Sequence, residues 1–128
     1  MATIGIISHS NDIAQGVKAL LEQMSPSVTV IAKGGTNEGE IGTSIDTVNE
    51  VIDALTEDAL LFYDIGSSEM NLEMALDLYD GEYKLYKVDG PIVEGAFLAS
   101  VSLSTGATLE EAMESIKENF INNLNSLR

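Results

Sequence analysis

The chain has no cysteine, no tryptophan, two prolines and one histidine among its 128 residues. Without cysteine there is no disulfide, no thiolate metal site and no cysteine nucleophile, which suits a reducing compartment. One histidine with no cysteine leaves zinc without a ligand set, so no metal is expected. Basic residues are also scarce. Six Lys+Arg face 21 Asp+Glu, a formal net charge of −15. Phosphate backbones and anionic membranes repel such a surface, so neither nucleic acid nor a membrane is an expected partner. A basic protein is, unless the acidity serves only solubility. No apolar run approaches the roughly 18 residues that span a bilayer. The apolar start, Met1–Ile7, has no basic flank and no small-residue cleavage site, and the expected location is the cytoplasm.

What is present is regular. Hydrophobic residues make up 45 % of the chain, and its length suits one domain, residues 1–128, that buries roughly two-thirds of its unfolded surface. Short apolar runs alternate with segments of helical period. Thr3–Ser8 reads as a buried strand, Val28–Ala32 as a short β-branched second strand, Ala59–Tyr63 as a third, and Tyr83–Val88 as a half-exposed or edge strand. Between them lie helical patterns: Ile13 to Met24; Ile41, Ile45, Val48, Ile52 and Leu55, capped by Thr43 or Ser44; and Leu72 to Tyr79. Pro91 to Leu103 is apolar nearly all round and is expected to be buried, in the domain or in a subunit contact. Thr108–Glu111 is a capping-box pattern that opens a last helix carrying Leu109, Ala112, Met113, Ile116, Phe120 and Leu124. Met70 and Met74 read as packing. The order βαβαβαβαα argues for an α/β, doubly wound, mostly parallel sheet.

In an open parallel sheet, ligands sit beyond the carboxyl ends of the strands. Those places hold His9, Ser10, Asn11 and Asp12; the glycine loop Lys33–Glu40; Asp64, Gly66, Ser67 and Ser68; and Asp89, Gly90 and Pro91. With strand one central and strand three beside it, about 4.8 Å away, His9 and Asp64 come within hydrogen-bond reach. A carboxylate that accepts one ring N–H fixes the tautomer and leaves the other nitrogen as an oriented nucleophile. The plainer reading makes Asp64 a turn residue before Gly66. Gly42-Thr43-Ser44 and Gly66-Ser67-Ser68 each lead into a helix N-terminus, where free N–H groups and the dipole attract anions. Together they are placed to hold a phosphoryl group against His9. There is no P-loop lysine pattern, no G-x-G-x-x-G and no G-x-S-x-G elbow, so nucleotide binding and serine hydrolysis lack support. Glu94 reads as a solvent-facing acid in a first helical turn.

Ile6-Ile7-Ser8-His9-Ser10 with Ala14-Gln15-Gly16-Val17 resembles the opening of the mannose-type IIA domains of the bacterial phosphotransferase system. Ile41–Ser44, Asp64–Ser68 and Pro91–Ala96 resemble, more closely, the phosphotransferase subunits of phosphoenolpyruvate-dependent dihydroxyacetone kinases. The resemblance covers essentially the whole chain. It implies a four-stranded sheet in the order 2-1-3-4 with helices on both faces. It implies that His9 accepts a phosphoryl group from the phosphocarrier protein HPr on Nε2, with Asp64 orienting the ring. Ser10, Gly42, Thr43, Gly66, Ser67 and Ser68 would surround the phosphoryl group. His9 would pass it to ADP on the kinase's nucleotide-binding subunit, which serves a dihydroxyacetone-binding subunit. It further implies a homodimer, no cofactor on this subunit, and dependence on HPr in trans, since no further phosphocarrier domain follows. Two alternatives stay open: the IIA component of a mannose-type sugar transporter, and a receiver-like signalling domain phosphorylated on Asp64. The receiver is disfavoured because Ser8-His9-Ser10 stands where receivers carry an acidic pair.

Overall fold

Four parallel strands, β1 (Thr3–Ser8), β2 (Thr29–Gly34), β3 (Ala59–Tyr63) and β4 (Leu85–Val88), form one sheet in the order β2-β1-β3-β4. The computed structural model describes residues 2–122. Five α-helices alternate with and follow the strands: α1 (Asn11–Met24), α2 (Ile45–Asp53), α3 (Gly66–Leu78), α4 (Ile92–Ser104) and α5 (Leu109–Ile116). The last passes into a π-helical turn over Lys117–Asn122. Leu124, expected on this last helix, lies outside the described residues.

The period-two alternation of the central strands divides the core. Ile4, Ile6, Leu60 and Phe62 point to one face and pack under α1, α4 and α5 through Val17, Leu21, Ala96, Ala99, Leu103, Ala112 and Ile116. Ile7, Ala59 and Leu61 point to the other and pack under α2 and α3 through Val48, Val51, Ile52, Leu72 and Ala75. Strands covered on both faces read as continuous apolar runs, which is why β1 and β3 carry no alternation in sequence. β1 is central, with Ser8 opposite Gly34 and Ile7 opposite Tyr63. All strand carboxyl ends lie along one edge.

Several boundaries differ from the sequence reading. The second helix begins at Ile45 behind Ser44, one of the two expected caps, but Ile41, expected on its apolar face, precedes it. Gly42 has φ +143°, a conformation that L side chains rarely adopt, and Ser44 is extended, with its hydroxyl capping the Thr47 N–H. Ile41 therefore sits on the loop, 77 % exposed. Tyr83 lies outside β4 because its N–H donates to the Tyr79 hydroxyl (3.1 Å) and not to a neighbouring strand. Met70 and Met74 are not packing residues: they are 70 % and 54 % exposed on α3. Within the single chain α4 buries one side. Gly95, Ala96, Ala99, Ser100 and Leu103 face the core, whereas Val93, Phe97 and Val101 face out. Glu94 is exposed in its first turn, as the solvent-facing reading has it.

Candidate functional site

The site begins with the pairing of β1 and β3. Because Ile7 lies opposite Tyr63, the next residues in each chain leave the sheet side by side. His9 Nδ1 is 2.9 Å from Asp64 Oδ1, and the two side chains are 16 % and 14 % exposed. The Asp64 carboxylate also accepts from the His9 backbone N–H (3.0 Å), the Ser8 hydroxyl (2.6 Å) and the Ile65 N–H (2.7 Å). Burial pushes this carboxyl up, but the hydrogen bonds from Ser8, the His9 ring and the His9 and Ile65 N–H groups outweigh it and hold the group at about 2. Asp64 is therefore ionised at neutral pH and can only accept. The ring proton between them belongs to Nδ1 of His9. In the uncharged ring Nε2 then carries the lone pair, and it lies 2.6 Å from Ser67 Oγ, whose O–H donates to it.

Ser67 opens α3, and the start of this helix differs from the others in the site. The Ser10 and Ser44 hydroxyls cap α1 and α2, but no side chain caps α3. Its first N–H groups, on Gly66 and Ser67, donate to nothing among the described residues. The helix dipole and two unpaired donors thus sit beside Nε2, the arrangement that binds an oxyanion.

The other residues expected around the phosphoryl group each have a partner within the fold. Ser68 is fully buried, with its hydroxyl 3.1 Å from Asp64 Oδ1 and 2.7 Å from the Ile65 carbonyl, so it buttresses the aspartate. Ser10 Oγ accepts the Ile13 N–H (3.2 Å). The Gly42 N–H donates to the His9 carbonyl (2.8 Å), which holds the glycine loop against the histidine backbone. Thr43 Oγ1 accepts from Asn71 on α3 (3.1 Å). Of the surrounding residues named from the sequence, Ser67 is the one hydrogen-bonded to Nε2, with Gly66 next to it in the chain at the start of α3.

Sequence reasoning missed Ser8, a hydroxyl buried at the end of an otherwise apolar strand. Its signal was there: a polar group in that position needs a partner. It also missed Gly34. A Cβ at this position would lie 2.5 Å from the Ser10 carbonyl oxygen and 2.7 Å from that of Ser8, so only glycine lets β2 pass so close to the histidine loop. A third omission is the cluster at the ends of β3 and β4. The Tyr63 hydroxyl lies 2.6 Å from Asp89 Oδ1 and 3.0 Å from Glu69 Oε2. Lys87 pairs with Glu69, with Asp89 (3.4 Å) and with Glu73 (3.5 Å). Burial and then its bonds to Asp89 and Glu69 push the Tyr63 hydroxyl up, and the Glu69 bond does the same for Lys87. The cluster ties the first turn of α3 to β4. It also consumes Lys87, and among the described residues no lysine or arginine pairs with His9, Asp64 or Ser67.

Comparison with known proteins decides the family. Residues 3–113 match the model of the mannose-type IIA family, described as the fructose IIA component of the phosphotransferase system. The chain belongs to this mannose-type IIA family. It is 40 % identical over 119 residues to the phosphotransferase subunit DhaM of the PTS-dependent dihydroxyacetone kinase of Lactococcus lactis, covering 92 % of this chain and 95 % of that one. It is 41 % identical over 99 residues to the phosphoryl donor subunit DhaM of the PEP-dependent dihydroxyacetone kinase 1 of Listeria innocua, covering 77 % and 78 %. A crystallised protein of unknown function, 30 % identical, superposes with a TM-score of 0.80 over 91 % of this chain and 93 % of its own. The IIA-type order 2-1-3-4 expected from the resemblance is the order found. Among the described residues no helix is long and apolar enough to cross a membrane.

Proposed function

We propose that this chain is the phosphoryl carrier of a dihydroxyacetone kinase: His9 takes a phosphoryl group from HPr and delivers it to ADP on the nucleotide-binding subunit. The observation that carries this is the His9 ring held between Asp64 at Nδ1 and Ser67 at Nε2, with the uncapped start of α3 alongside. The relatives' names support dihydroxyacetone over a sugar as the final acceptor. The receiver alternative has little support, since the Asp64 carboxylate is engaged by Ser8, His9 and Ile65.

The transfer follows from the geometry. The Nε2 lone pair attacks phosphorus, an N–P bond forms, and the N–P bond of the donor breaks with its electron pair returning to the donor's nitrogen. Nδ1 keeps its proton, so the phosphorylated ring is cationic and the ionised Asp64 offsets that charge. The Ser67 hydroxyl turns from Nε2 to a phosphoryl oxygen, and the Gly66 and Ser67 N–H groups hold the others. Stabilisation by N–H donors in place of a paired arginine keeps the phosphoryl group available for the next transfer. In the second step ADP attacks and the pair returns to Nε2. Positioning and charge stabilisation suffice for both, and magnesium would accompany the nucleotide on the partner subunit.

The carrier works in the cytoplasm as a homodimer on this reading. Val93, Phe97 and Val101 on α4 and Ile13, Leu20 and Met24 on α1 form the exposed apolar face of the sheet layer opposite α3. Two copies each of charge −15 associate most readily through a face whose centre is uncharged. Phe97→Glu is expected to turn a dimer into a monomer in analytical ultracentrifugation; a dimer that persists places the contact elsewhere. The functional test is reconstitution with Enzyme I, HPr and the two kinase subunits. Phosphoenolpyruvate-driven loss of dihydroxyacetone should require this chain, and loss at the same rate without it would refute the proposal.

A further inference from the structure

α3, which brings Ser67 to His9, is the outer helix of its layer. α2 shares the same face of the sheet and lies over β1 and β2, whereas α3 lies over β3 and β4. Among the described residues no third helix covers this face. The buried residues of α3 are Ser68, Leu72 and Ala75, one large side chain and two small ones. Interdigitating side chains are what fix a helix along the surface beneath it, and α3 has few of them.

β4 supplies a second hold. Lys87 lies opposite Leu61 in the register and so points to the α3 face. Its ammonium meets Glu69 and, at 3.5 Å, Glu73, which stand a turn apart on α3. On the sheet side it is 3.4 Å from Asp89 and 5.7 Å from the centre of the Tyr63 ring. Tyr63 in turn directs its hydroxyl to Asp89 (2.6 Å) and is the residue just before Asp64. Lys87 and Glu69 are 23 % and 31 % exposed, so solvent screens this pair less than an open surface pair. Two grips a turn apart resist both sliding and rolling of the helix. Glu69 follows Ser67 by two residues, about 3 Å along the axis, so what fixes Glu69 also fixes the Ser67 hydroxyl and the first N–H groups beside Nε2. A slip of about 1 Å would stretch the 2.6 Å Ser67 contact past hydrogen-bond length.

We propose that Lys87 is a positioning residue for phosphoryl transfer: through Glu69 and Glu73 it holds the start of α3 against His9, and so sets how well Ser67 and the helix N–H groups receive the phosphoryl group. The proposal rests on His9 being a phosphoryl carrier. A direct effect of charge would behave differently. An incoming anion is favoured by Lys87 and disfavoured by Glu69, so removing the two charges would move the rate in opposite directions. A broken tie slows transfer whichever end is cut.

The test uses the full chain and the small donor phosphoramidate, which needs no docking surface. Lys87→Met and Glu69→Gln should each lower kcat for His9 phosphorylation about tenfold. Lys87→Arg, whose guanidinium can bridge the same carboxylates, should stay within about twofold of wild type. In a Ser67→Ala background the Lys87→Met effect should shrink to about twofold, because both changes act on one contact. The nitrogen resonance of His9 Nε2 should move in Lys87→Met toward its position in Ser67→Ala, which a loss of stability alone does not produce. Glu69→Gln cuts the same tie from the helix side and carries the test if Lys87→Met does not fold. A Glu69→Gln chain faster than wild type would show that Lys87 acts by its charge, and the proposal would be wrong. It would be equally wrong if the Lys87→Met and Ser67→Ala effects multiply in full, or if Lys87→Met lowers the urea midpoint with kcat and the Nε2 resonance unchanged. In each of these cases a labelled wild type leaves the carrier reading standing. If wild-type His9 is phosphorylated by neither phosphoramidate nor phosphorylated HPr, the carrier reading fails and the positioning role falls with it.

Discussion

A His9→Ala chain is expected to take up no phosphoryl group from phosphorylated HPr, against full labelling of wild type. The effect is complete because the site has one nitrogen of this kind. Asp64 assigns the ring proton to Nδ1, so the only free lone pair aimed at the α3 terminus is that of Nε2. Ser67 Oγ cannot substitute: with the imidazole gone, no base stands beside it to take its proton. The loss is not a folding defect, since the backbone N–H of residue 9 still reaches the Asp64 carboxylate and the ring packs in neither core cluster. Intact mass spectrometry after incubation with phosphoenolpyruvate, Enzyme I and HPr reads the outcome. Wild type should gain a phosphoryl group that survives alkali and is lost in acid. An acid-stable label on His9→Ala would move the nucleophile to a hydroxyl, and a label lost to both alkali and hydroxylamine would restore the acyl-phosphate alternative at Asp64.

Asp64→Asn is expected to slow phosphoryl transfer about 10²-fold while leaving His9 in place. The amide is nearly the same shape, but it carries no charge to offset the cationic phosphorylated ring. It can also turn its NH₂ toward Nδ1, which moves the ring proton to Nε2 and blocks the nucleophile. Rapid-quench measurement of labelling separates this from a docking defect, because kcat falls and KM for HPr holds. An unchanged kcat would remove the orienting role. The same substitution costs stability. The Asp64 carboxyl is held at about 2 against an ordinary 3.8, so the ionised group favours the fold by about 2 kcal/mol. A depressed carboxyl contributes fully above its unfolded value and loses that contribution as pH falls toward its folded value. The gap between wild type and Asp64→Asn in urea midpoints should therefore hold from neutral pH to about 4 and close on approach to about 2.

Much of this site was legible before any coordinates. His9 and Asp64 each follow a short apolar run, and the rule that parallel sheets bind at their carboxyl edge singles out both. What the sequence could not show is how the remaining polar groups divide their work. Ser10, Gly42, Thr43 and Ser68 have the residue types and the places of phosphoryl ligands. Each has a partner in the fold, the Ile13 N–H, the His9 carbonyl, Asn71 and Asp64, and the Ser10 and Thr43 hydroxyls, which accept there, keep a proton to donate. A hydroxyl or N–H is used by whichever group the backbone brings closest, and local sequence does not say which that will be. Met70 and Met74 failed for a related reason. Helical spacing shows that two residues share a face, but not whether that face has a neighbour.

The sequence by itself determined the alternation of strands and helices, the two buried central strands and the placement of His9 and Asp64 at their ends. These follow from local period and from the rule that apolar runs must be covered. Tertiary structure alone decided that Ser8 and Ser68 hold the aspartate and Ser67 meets Nε2. It alone decided that the glycine at position 34 makes room for the histidine loop, and that α3 turns its methionines outward. Ser68 reaches Asp64 from four residues along the chain, but Ser8 and Ser67 meet partners more than fifty positions away and Gly34 passes the backbone of a neighbouring strand, so only the assembled sheet brings those groups together.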